Sequence, residues 1–177
     1  MLTLGFVFLG LLLIVLQTTV FMITPTWTAA PDLYYILVAY LAYRLDLLHG
    51  LVILFPLSCV LDVFSGTVIG MYPAICYGGY LLLKFTSAKM PVRESLYQIP
   101  LVAVSYLVIH WIVFVVLDFV VPGTLVPWSW PLMLMRAGLV VLFAYPLFSV
   151  FEFARRHLAG KFSSLKIFRS TSKNQYR

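Results

Sequence analysis

Residues 4–23 read LGFVFLGLLLIVLQTTVFMI, a run of twenty residues without a charged side chain. A helix of about 20 apolar residues crosses the roughly 30 Å hydrocarbon core of a bilayer, because each residue rises about 1.5 Å. The whole chain of 177 residues is similar in character, with 63% apolar residues, 10% charged residues and a mean hydropathy of +1.02. So few polar groups could not cover a domain folded in water. The composition therefore excludes a soluble globular domain, a nucleic-acid-binding domain and a disordered chain, and predicts an integral membrane protein.

Proline, glycine and charged residues divide the chain into six predicted membrane-spanning helices. The third and fourth are short and broken, so a re-entrant pair is the alternative to two full crossings, and Pro146 predicts a kink in the sixth. The predicted fold is an all-α integral membrane protein, with a six-helix domain at residues 1–154 and a basic cytoplasmic tail at residues 155–177. The predicted spans are residues 4–23, 31–47, 51–64, 70–84, 99–121 and 132–153, with a turn at Asp46–Gly50. Arg44 and Asp46 are expected to pair at the inner interface, and Glu152 is expected to cap the inner end of the last span near Arg155 and Arg156.

The basic residues predict which side of the membrane each loop faces. With both termini in the cytoplasm, eleven of the twelve Lys and Arg residues fall on the cytoplasmic side, and the outer loops hold none. Arg136 is the remaining one and lies inside the sixth span. Cytoplasmic loops of membrane proteins are enriched in basic residues, and Trp27, Trp128 and Trp130 fall at the opposite boundary, where interfacial aromatic residues concentrate.

Small residues recur at four-residue spacing around the break between the third and fourth spans. This spacing lets two helix backbones approach closely in a membrane, where dispersion contacts replace the hydrophobic effect between helices. Because glycines and Pro73 interrupt the row, it predicts a tight helix–turn–helix whose facing surfaces form a seam for packing or for a partner. The seam consists of Ser58, Asp62, Gly66, Gly70, Ala74 and Gly78.

Asp62 is the costly member of this seam, because an ionised carboxylate deep in lipid costs about 2.5–3.5 kcal/mol. One interpretation is a substrate, ion or partner site. The other is a helix-end group whose oxygens accept backbone N–H bonds from the turn at residues 65–70. The adjacent backbone break favours this second interpretation.

Three more polar residues lie within the predicted spans: His110, Asp118 and Arg136. Asp118 and Arg136 flank the loop between the fifth and sixth spans at similar depth, so we expect an ion pair; the alternative is that each reaches water separately. His110 has no second histidine nearby in the sequence, which favours an interhelical hydrogen bond over a proton relay or a metal ligand.

The tail after Glu152 holds seven of the twelve basic residues, and its apolar residues 158, 162, 165 and 168 fall on one helical face. This pattern predicts a helix lying on the anionic cytoplasmic leaflet. A disordered basic tail is the alternative. The basic residues expected at the membrane surface are Arg155, Arg156, Lys161, Lys166 and Arg169.

No catalytic motif is present: the sequence lacks HExxH, GxSxG, a Walker loop and a dinucleotide fingerprint. Asp62 and Asp118 leave an intramembrane aspartyl enzyme open, and residues 116–119, VLDF, faintly resemble lipoprotein signal peptidases, although that family's other signature is missing. We predict a protein without catalytic residues, metal ligands or cofactors.

Four features resemble a known family. Residues 16–19, LQTT, close the first span, Pro31-Asp32-Leu33 opens the second, Gly50 opens the third, and residues 61–70 read LDVFSGTVIG across the break. Together with the size and the span number, they resemble the rod shape-determining protein MreD family over about residues 1–155.

The resemblance implies a role without a reaction. MreD-like proteins are multi-pass components of the bacterial inner-membrane elongation machinery, which couples MreB filaments to lateral peptidoglycan synthesis. The implied partners are MreC and, beyond it, RodA and a class B penicillin-binding protein, reached through helix–helix contacts in the bilayer. The architecture is also similar to the substrate-binding components of energy-coupling-factor vitamin transporters, although their Ala-x-x-x-Ala patch is missing from residues 4–23. A vitamin-type transporter subunit is therefore the alternative.

Overall fold

A computed structural model describes residues 2–22, 32–65, 68–89, 95–120 and 127–171, and all regular secondary structure in these ranges is helical. The described residues form six helices at the positions of the six predicted helical segments, which confirms the all-α class. They are α1 Leu2–Met22, α2 Leu33–Arg44, α3 Leu47–Ser65, α4 Met71–Lys89, α5 Ser95–Val120 and α6 Trp130–Thr171.

Three helices in the described part of the chain are long and apolar enough to cross a membrane: Leu47–Ser65, Gln98–Val120 and Trp130–His157. In α1 the apolar stretch Thr3–Thr19 falls just short of that length. The 12 residues of α2 extend only about 18 Å, and tyrosines, glycines and lysines lower the hydropathy of α4. An all-helical protein with helices long and apolar enough to cross a membrane is confirmed, but only three helices of the described residues meet these criteria where six spans are predicted.

The short helix α2 lies at the centre of the bundle. It contacts each of the other five helices, and these contact one another in the cyclic order α1, α3, α4, α5, α6. The ten residues from Leu33 to Ala42 are all buried. A helix that is apolar all round is expected in such a position, because no face of it needs water.

The start of α3 corrects the predicted turn at Asp46–Gly50. The helix begins at Leu47, and the Gly50 N–H donates to the Asp46 carbonyl at 3.0 Å, so this stretch is a first helical turn. Gly50 instead provides space: a Cβ there would lie 2.6 Å from a ring carbon of Tyr80. With 19 residues that pass through Pro56, the third helix is not short.

The break between α3 and α4 is confirmed. Gly70 adopts a φ of +93°, a left-handed conformation that glycine tolerates best, and the Met71 N–H donates to the Val68 carbonyl at 3.1 Å. The predicted end of the fourth helix at Lys84 is wrong, since α4 continues to Lys89. Lys84 lies within the helix. Its ammonium donates hydrogen bonds to the carbonyls of Ala42 and Leu45, at 3.1 and 2.5 Å, at the C-terminus of α2.

The last helix is longer than predicted at both ends. It runs for 42 residues, from Trp130 through Pro146 to Thr171. It therefore passes the predicted domain boundary at residues 154 and 155 without a break. At about 63 Å it exceeds the thickness of a bilayer, so its C-terminal part lies beyond any span that begins near Trp130.

Candidate functional site

The N-terminal end of α2 presents a carboxylate to α5. Asp32 precedes the helix, and its carbonyl accepts the Tyr35 N–H at 3.0 Å, which confirms the predicted start. Its side chain makes no capping bond to α2. Instead the carboxylate accepts a hydrogen bond from the Tyr106 hydroxyl of α5. Asp32 thus joins two helices.

His110 lies one turn after Tyr106 and is only 7% exposed. Its Nδ1 is 2.8 Å from the Tyr106 carbonyl oxygen. Because a carbonyl only accepts, Nδ1 carries a proton and Nε2 is the nitrogen that faces Asp32, whose Oδ2 is 3.9 Å away. The predicted interhelical hydrogen bond of His110 is not formed among the described residues: its hydrogen bond lies within α5, and Asp32 is too far away for one.

The aromatic ring of Tyr35 shields this site from one side. It packs edge-on against Tyr106 with centroids 5.1 Å apart and against His110 at 5.9 Å. Its hydroxyl donates to Ser105 Oγ at 3.0 Å, and Ser105 donates to the Val102 carbonyl at 2.8 Å. The polar groups around the rings thus have partners within the protein.

Arg136 of α6 completes this group of side chains. It interacts electrostatically with Tyr106, His110 and Tyr72. Asp118 is exposed and forms no ion pair among the described residues, so the predicted Asp118–Arg136 pair is not formed. Two of the predicted intramembrane polar residues, His110 and Arg136, share a site, which we call the Asp32 cluster: Asp32, Tyr106, His110 and Arg136.

Asp62 is a helix-end group, as the favoured interpretation predicts. Its Oδ2 accepts the Gly70 N–H at 2.7 Å, and its Oδ1 accepts the Tyr72 N–H at 3.3 Å. Ser65 Oγ donates to the Asp62 carbonyl at 3.0 Å. Both carboxylate oxygens therefore hold the N-terminal end of α4, where backbone N–H groups lack helical partners.

The predicted small-residue seam does not form one surface. Ser58 is buried and bonds within α3 to the Phe55 carbonyl at 3.0 Å, while Ala74 is exposed. A Cβ on Gly70 would meet nothing within 4 Å, and one on Gly78 would meet Ile109 of α5 at 3.3 Å. Gly66 lies outside the described residues. Residues four apart share a face only within one continuous helix. The turn between α3 and α4 interrupts the helix, so the residues before and after it do not line up on one face.

Other glycines mark the close approaches between helices. A Cβ on Gly79 would lie 2.8 Å from Tyr35, and one on Gly10 would lie 2.8 Å from a methyl carbon of Leu57. With Gly50 against Tyr80, each of these glycines accommodates a large side chain from a neighbouring helix. Their spacing in the sequence has no regular pattern, so only the tertiary structure identifies them.

The C-terminal end of α2 meets a second carboxylate. Glu152 of α6 accepts the Tyr40 hydroxyl at 3.0 Å, lies 2.8 Å from Arg155 and 3.4 Å from Arg156, and lies 3.9 Å from Arg44. The predicted contacts of Glu152 with the two tail arginines are confirmed. Arg44, expected beside Asp46, turns to Glu152 instead, and Asp46 is 93% exposed. These five residues, Tyr40, Arg44, Glu152, Arg155 and Arg156, are the Glu152 cluster.

The centre of the bundle and the surroundings of the Glu152 cluster differ in the space they leave. The cavity between α1, α2, α3 and α4 at the centre of the bundle measures about 10 Å³, about the volume that one water molecule needs. Beside the Glu152 cluster, α2, α5 and α6 leave a cleft of about 430 Å³. A ligand larger than water therefore fits beside the Glu152 cluster and does not fit in the central cavity.

Three of the predicted surface cations, Lys161, Lys166 and Arg169, lie on the C-terminal part of α6, where the described structure is limited to the backbone. The helix continues to Thr171. Its placement on a membrane surface stays a prediction.

A metal site is not assembled among the described side chains. No group of three or more His, Cys, Asp or Glu residues there could hold a metal ion. Of the two carboxylates considered for an aspartyl enzyme, Asp62 bonds to the start of α4 and Asp118 is exposed on α5.

No known protein family, curated protein or solved structure matches this chain. The functional interpretation therefore depends on the residues themselves. The sequence alone did not indicate that Asp32 and Tyr106 belong to a site. One available signal was the pairing of Tyr106 and His110 four residues apart, which places them on the same face of a helix.

Proposed function

We propose that this protein is a multi-pass component of the bacterial inner membrane that acts without catalysis in the cell-elongation complex. In this proposal all six helices lie within the bilayer, both termini face the cytoplasm, and an MreC-like protein is the chief partner. RodA, a class B penicillin-binding protein and MreB filaments belong to the same assembly.

The observation that carries this proposal is the filled centre of the bundle. The buried helix α2 fills the centre of the bundle, and the cavity beside it is about 10 Å³. Large apolar side chains are exposed on the surrounding helices instead, among them Phe8 at 70%, Phe55 at 63% and Phe119 at 88%. This arrangement favours contacts at the lipid-facing surface over an enclosed ligand, and so favours a scaffold over a vitamin-type transporter subunit.

The segments that resemble the MreD family support the proposal as architectural elements. Asp32, from the Pro-Asp-Leu segment, joins α2 to Tyr106 of α5. Asp62, from residues 61–70, holds the start of α4. Both carboxylates stabilise helix positions, which agrees with a role in assembly and not in a reaction.

The distribution of charge and aromatic residues supports the orientation. From Trp130 to Arg156, α6 rises about 39 Å, which matches a bilayer of roughly 40–45 Å including its headgroup regions. Trp130 then lies at one interface and the Glu152 cluster at the other. Reporter fusions should place the C-terminus in the cytoplasm, and an external C-terminus would contradict this orientation.

In-cell crosslinking tests the proposed partner. A photoreactive residue at exposed Cys59 of α3 or exposed Ala74 of α4 should crosslink to the MreC-like protein, and the same residue at exposed Val116 of α5 serves as a matched control. Depletion should convert rod-shaped cells to spheres. Cells that stay rod-shaped, with no MreC-like protein co-purifying, would overturn the proposal, and a retained vitamin-sized ligand would support the transporter instead.

A further inference from the structure

The cleft beside the Glu152 cluster combines two chemical surfaces. Its walls come from α2, α5 and α6 and enclose about 430 Å³. Arg44, Arg156 and Glu152 line its charged part, and Tyr145, Phe148 and Phe153 line its aromatic part. A ligand that fits both parts needs an anionic group and an apolar body.

The charged part has more positive charge than its own carboxylate can balance. Glu152 faces three guanidinium groups, from Arg44, Arg155 and Arg156, so the cluster carries a net charge of about +2. The contacts of Glu152 Oε1 are to Arg155 and Arg156, and those of Oε2 are to Tyr40 and Arg44. The Arg155 Nε is buried and has no hydrogen-bond partner among the described residues. Donors exceed acceptors, as a site for a phosphate group requires.

The exposure of the arginines leaves their guanidinium groups accessible. The side chain of Arg44 is 45% exposed and that of Arg156 is 77% exposed, although both face Glu152. Each guanidinium has five N–H donors in a fixed geometry, and one carboxylate contact occupies at most two of them. A phosphate in the cleft can therefore bind both arginines without displacing Glu152.

The aromatic and charged parts of the cleft lie one after the other along α6, as the acyl chains and the headgroup do in a lipid molecule. Tyr145 and Phe153 are 71% and 63% exposed, and Arg156 follows Tyr145 by about 16 Å along the helix axis. Since Arg156 lies about 39 Å from Trp130, the arginines stand at headgroup depth and the aromatic rings at acyl-chain depth.

We propose that this cleft binds one anionic phospholipid. The phosphate contacts Arg44 and Arg156, and an acyl chain lies against Tyr145, Phe148 and Phe153. A zwitterionic lipid has the same phosphate but adds a cation beside a cluster that is already positive, so it binds more weakly. The proposal requires that α6 cross a bilayer between Trp130 and Arg156, and it is independent of any role in cell elongation.

Native mass spectrometry of the full-length protein in detergent tests the proposal. Phosphatidylglycerol and phosphatidylcholine with identical acyl chains are titrated separately, and the first should bind at least tenfold more tightly. Arg44→Gln or Arg156→Gln should weaken phosphatidylglycerol binding about fivefold, and the double variant about thirtyfold, as expected when each basic residue contributes about 1 kcal/mol. Equal affinities for the two lipids would overturn the proposal.

Three controls separate this site from other sources of affinity. Lys89→Gln removes an exposed cation that does not line the cleft, and it should leave binding unchanged. Ser149→Trp fills the cleft without changing any charge, and it should weaken binding at least tenfold. Millimolar glycerol phosphate should not compete with the lipid. Binding that falls equally in Lys89→Gln, survives Ser149→Trp or is lost to glycerol phosphate would contradict a lipid in this cleft.

Circular dichroism and monodisperse elution establish whether the variants fold. Arg44 and Arg156 are exposed enough that their replacement by glutamine should preserve both properties. A folded double variant that retains full preference for phosphatidylglycerol would exclude these two residues as the binding site.

Discussion

The two ends of α2 place the same chemical pair, with similarly buried carboxylates and tyrosines, beside different neighbours. At each end a carboxylate accepts a tyrosine hydroxyl from another helix: Asp32 from Tyr106, and Glu152 from Tyr40. At the Asp32 end the neighbouring His110 is 7% exposed, whereas at the Glu152 end Arg156 is 77% exposed and a cleft adjoins it. The comparison teaches that the same acid–tyrosine pair can join helices in two settings, one beside a buried histidine and one beside exposed arginines and a cleft.

Asp32→Ala should have the largest effect on stability. It leaves the Tyr106 hydroxyl and the buried His110 without their carboxylate, and an unsatisfied buried group costs about 1–3 kcal/mol. We expect the free energy of unfolding to fall by about 2 kcal/mol, measured by SDS titration in mixed micelles with circular dichroism. Asp118→Ala, at an exposed carboxylate, should change it by less than about 0.5 kcal/mol. Equal losses in the two variants would remove the distinction between the enclosed Asp32 site and an exposed acid.

Asp62→Ala should have an intermediate effect. It removes the acceptor for the Gly70 and Tyr72 N–H groups, and loss of a helix-capping side chain costs about 1 kcal/mol. Asp62→Asn retains one acceptor oxygen and should insert and fold nearly as the native protein does. Hydrogen exchange at the start of α4 should rise in the alanine variant while exchange in α2 stays unchanged. Unfolding of the whole bundle in Asp62→Asn would show that the negative charge has a larger role.

The smallest predicted effect is a difference in coupling energy between the acid–tyrosine pairs at the two ends of α2. A double-mutant cycle of Asp32→Asn with Tyr106→Phe should give about 1 kcal/mol, within the range of buried hydrogen bonds between membrane helices. The equivalent cycle of Glu152→Gln with Tyr40→Phe should give about 0.3 kcal/mol and decrease with added salt, because Arg44 and Arg156, 45% and 77% exposed, already interact with the same carboxylate. A larger, salt-independent coupling at Glu152 would reverse the comparison.

Local features of the fold were predictable from the sequence. Composition predicted a helical membrane protein, because hydrophobic segments of this length have few other folds. Asp62 was predictable as a helix-end group, since its partners follow within ten residues. The break at residues 65–70 was predictable for the same reason, as glycine, serine and a nearby proline interrupt a helix locally.

Features that depend on distant residues were not predictable. Asp32 and Tyr106 are 74 residues apart, and nothing in the local sequence of either residue indicates the other. Gly50 was predicted as a turn because glycine breaks helices, whereas its use depends on Tyr80 in the next helix. The central position of α2 could have been inferred from its apolar composition on all faces, but the choice among six apolar segments required their contacts.

The 18 Å length of α2 has a consequence for how the chain enters the membrane. A segment of 12 residues that ends in Arg44 is too short for the insertion machinery to partition into lipid by itself. We expect α2 to stay at the exit of the translocation channel until later helices emerge. The helices then enter the lipid together. With Cys59 and Cys76 replaced by serine, the variant Ala39→Cys should therefore react with aqueous thiol reagents in a nascent chain stalled before α4, whereas the completed chain should protect it.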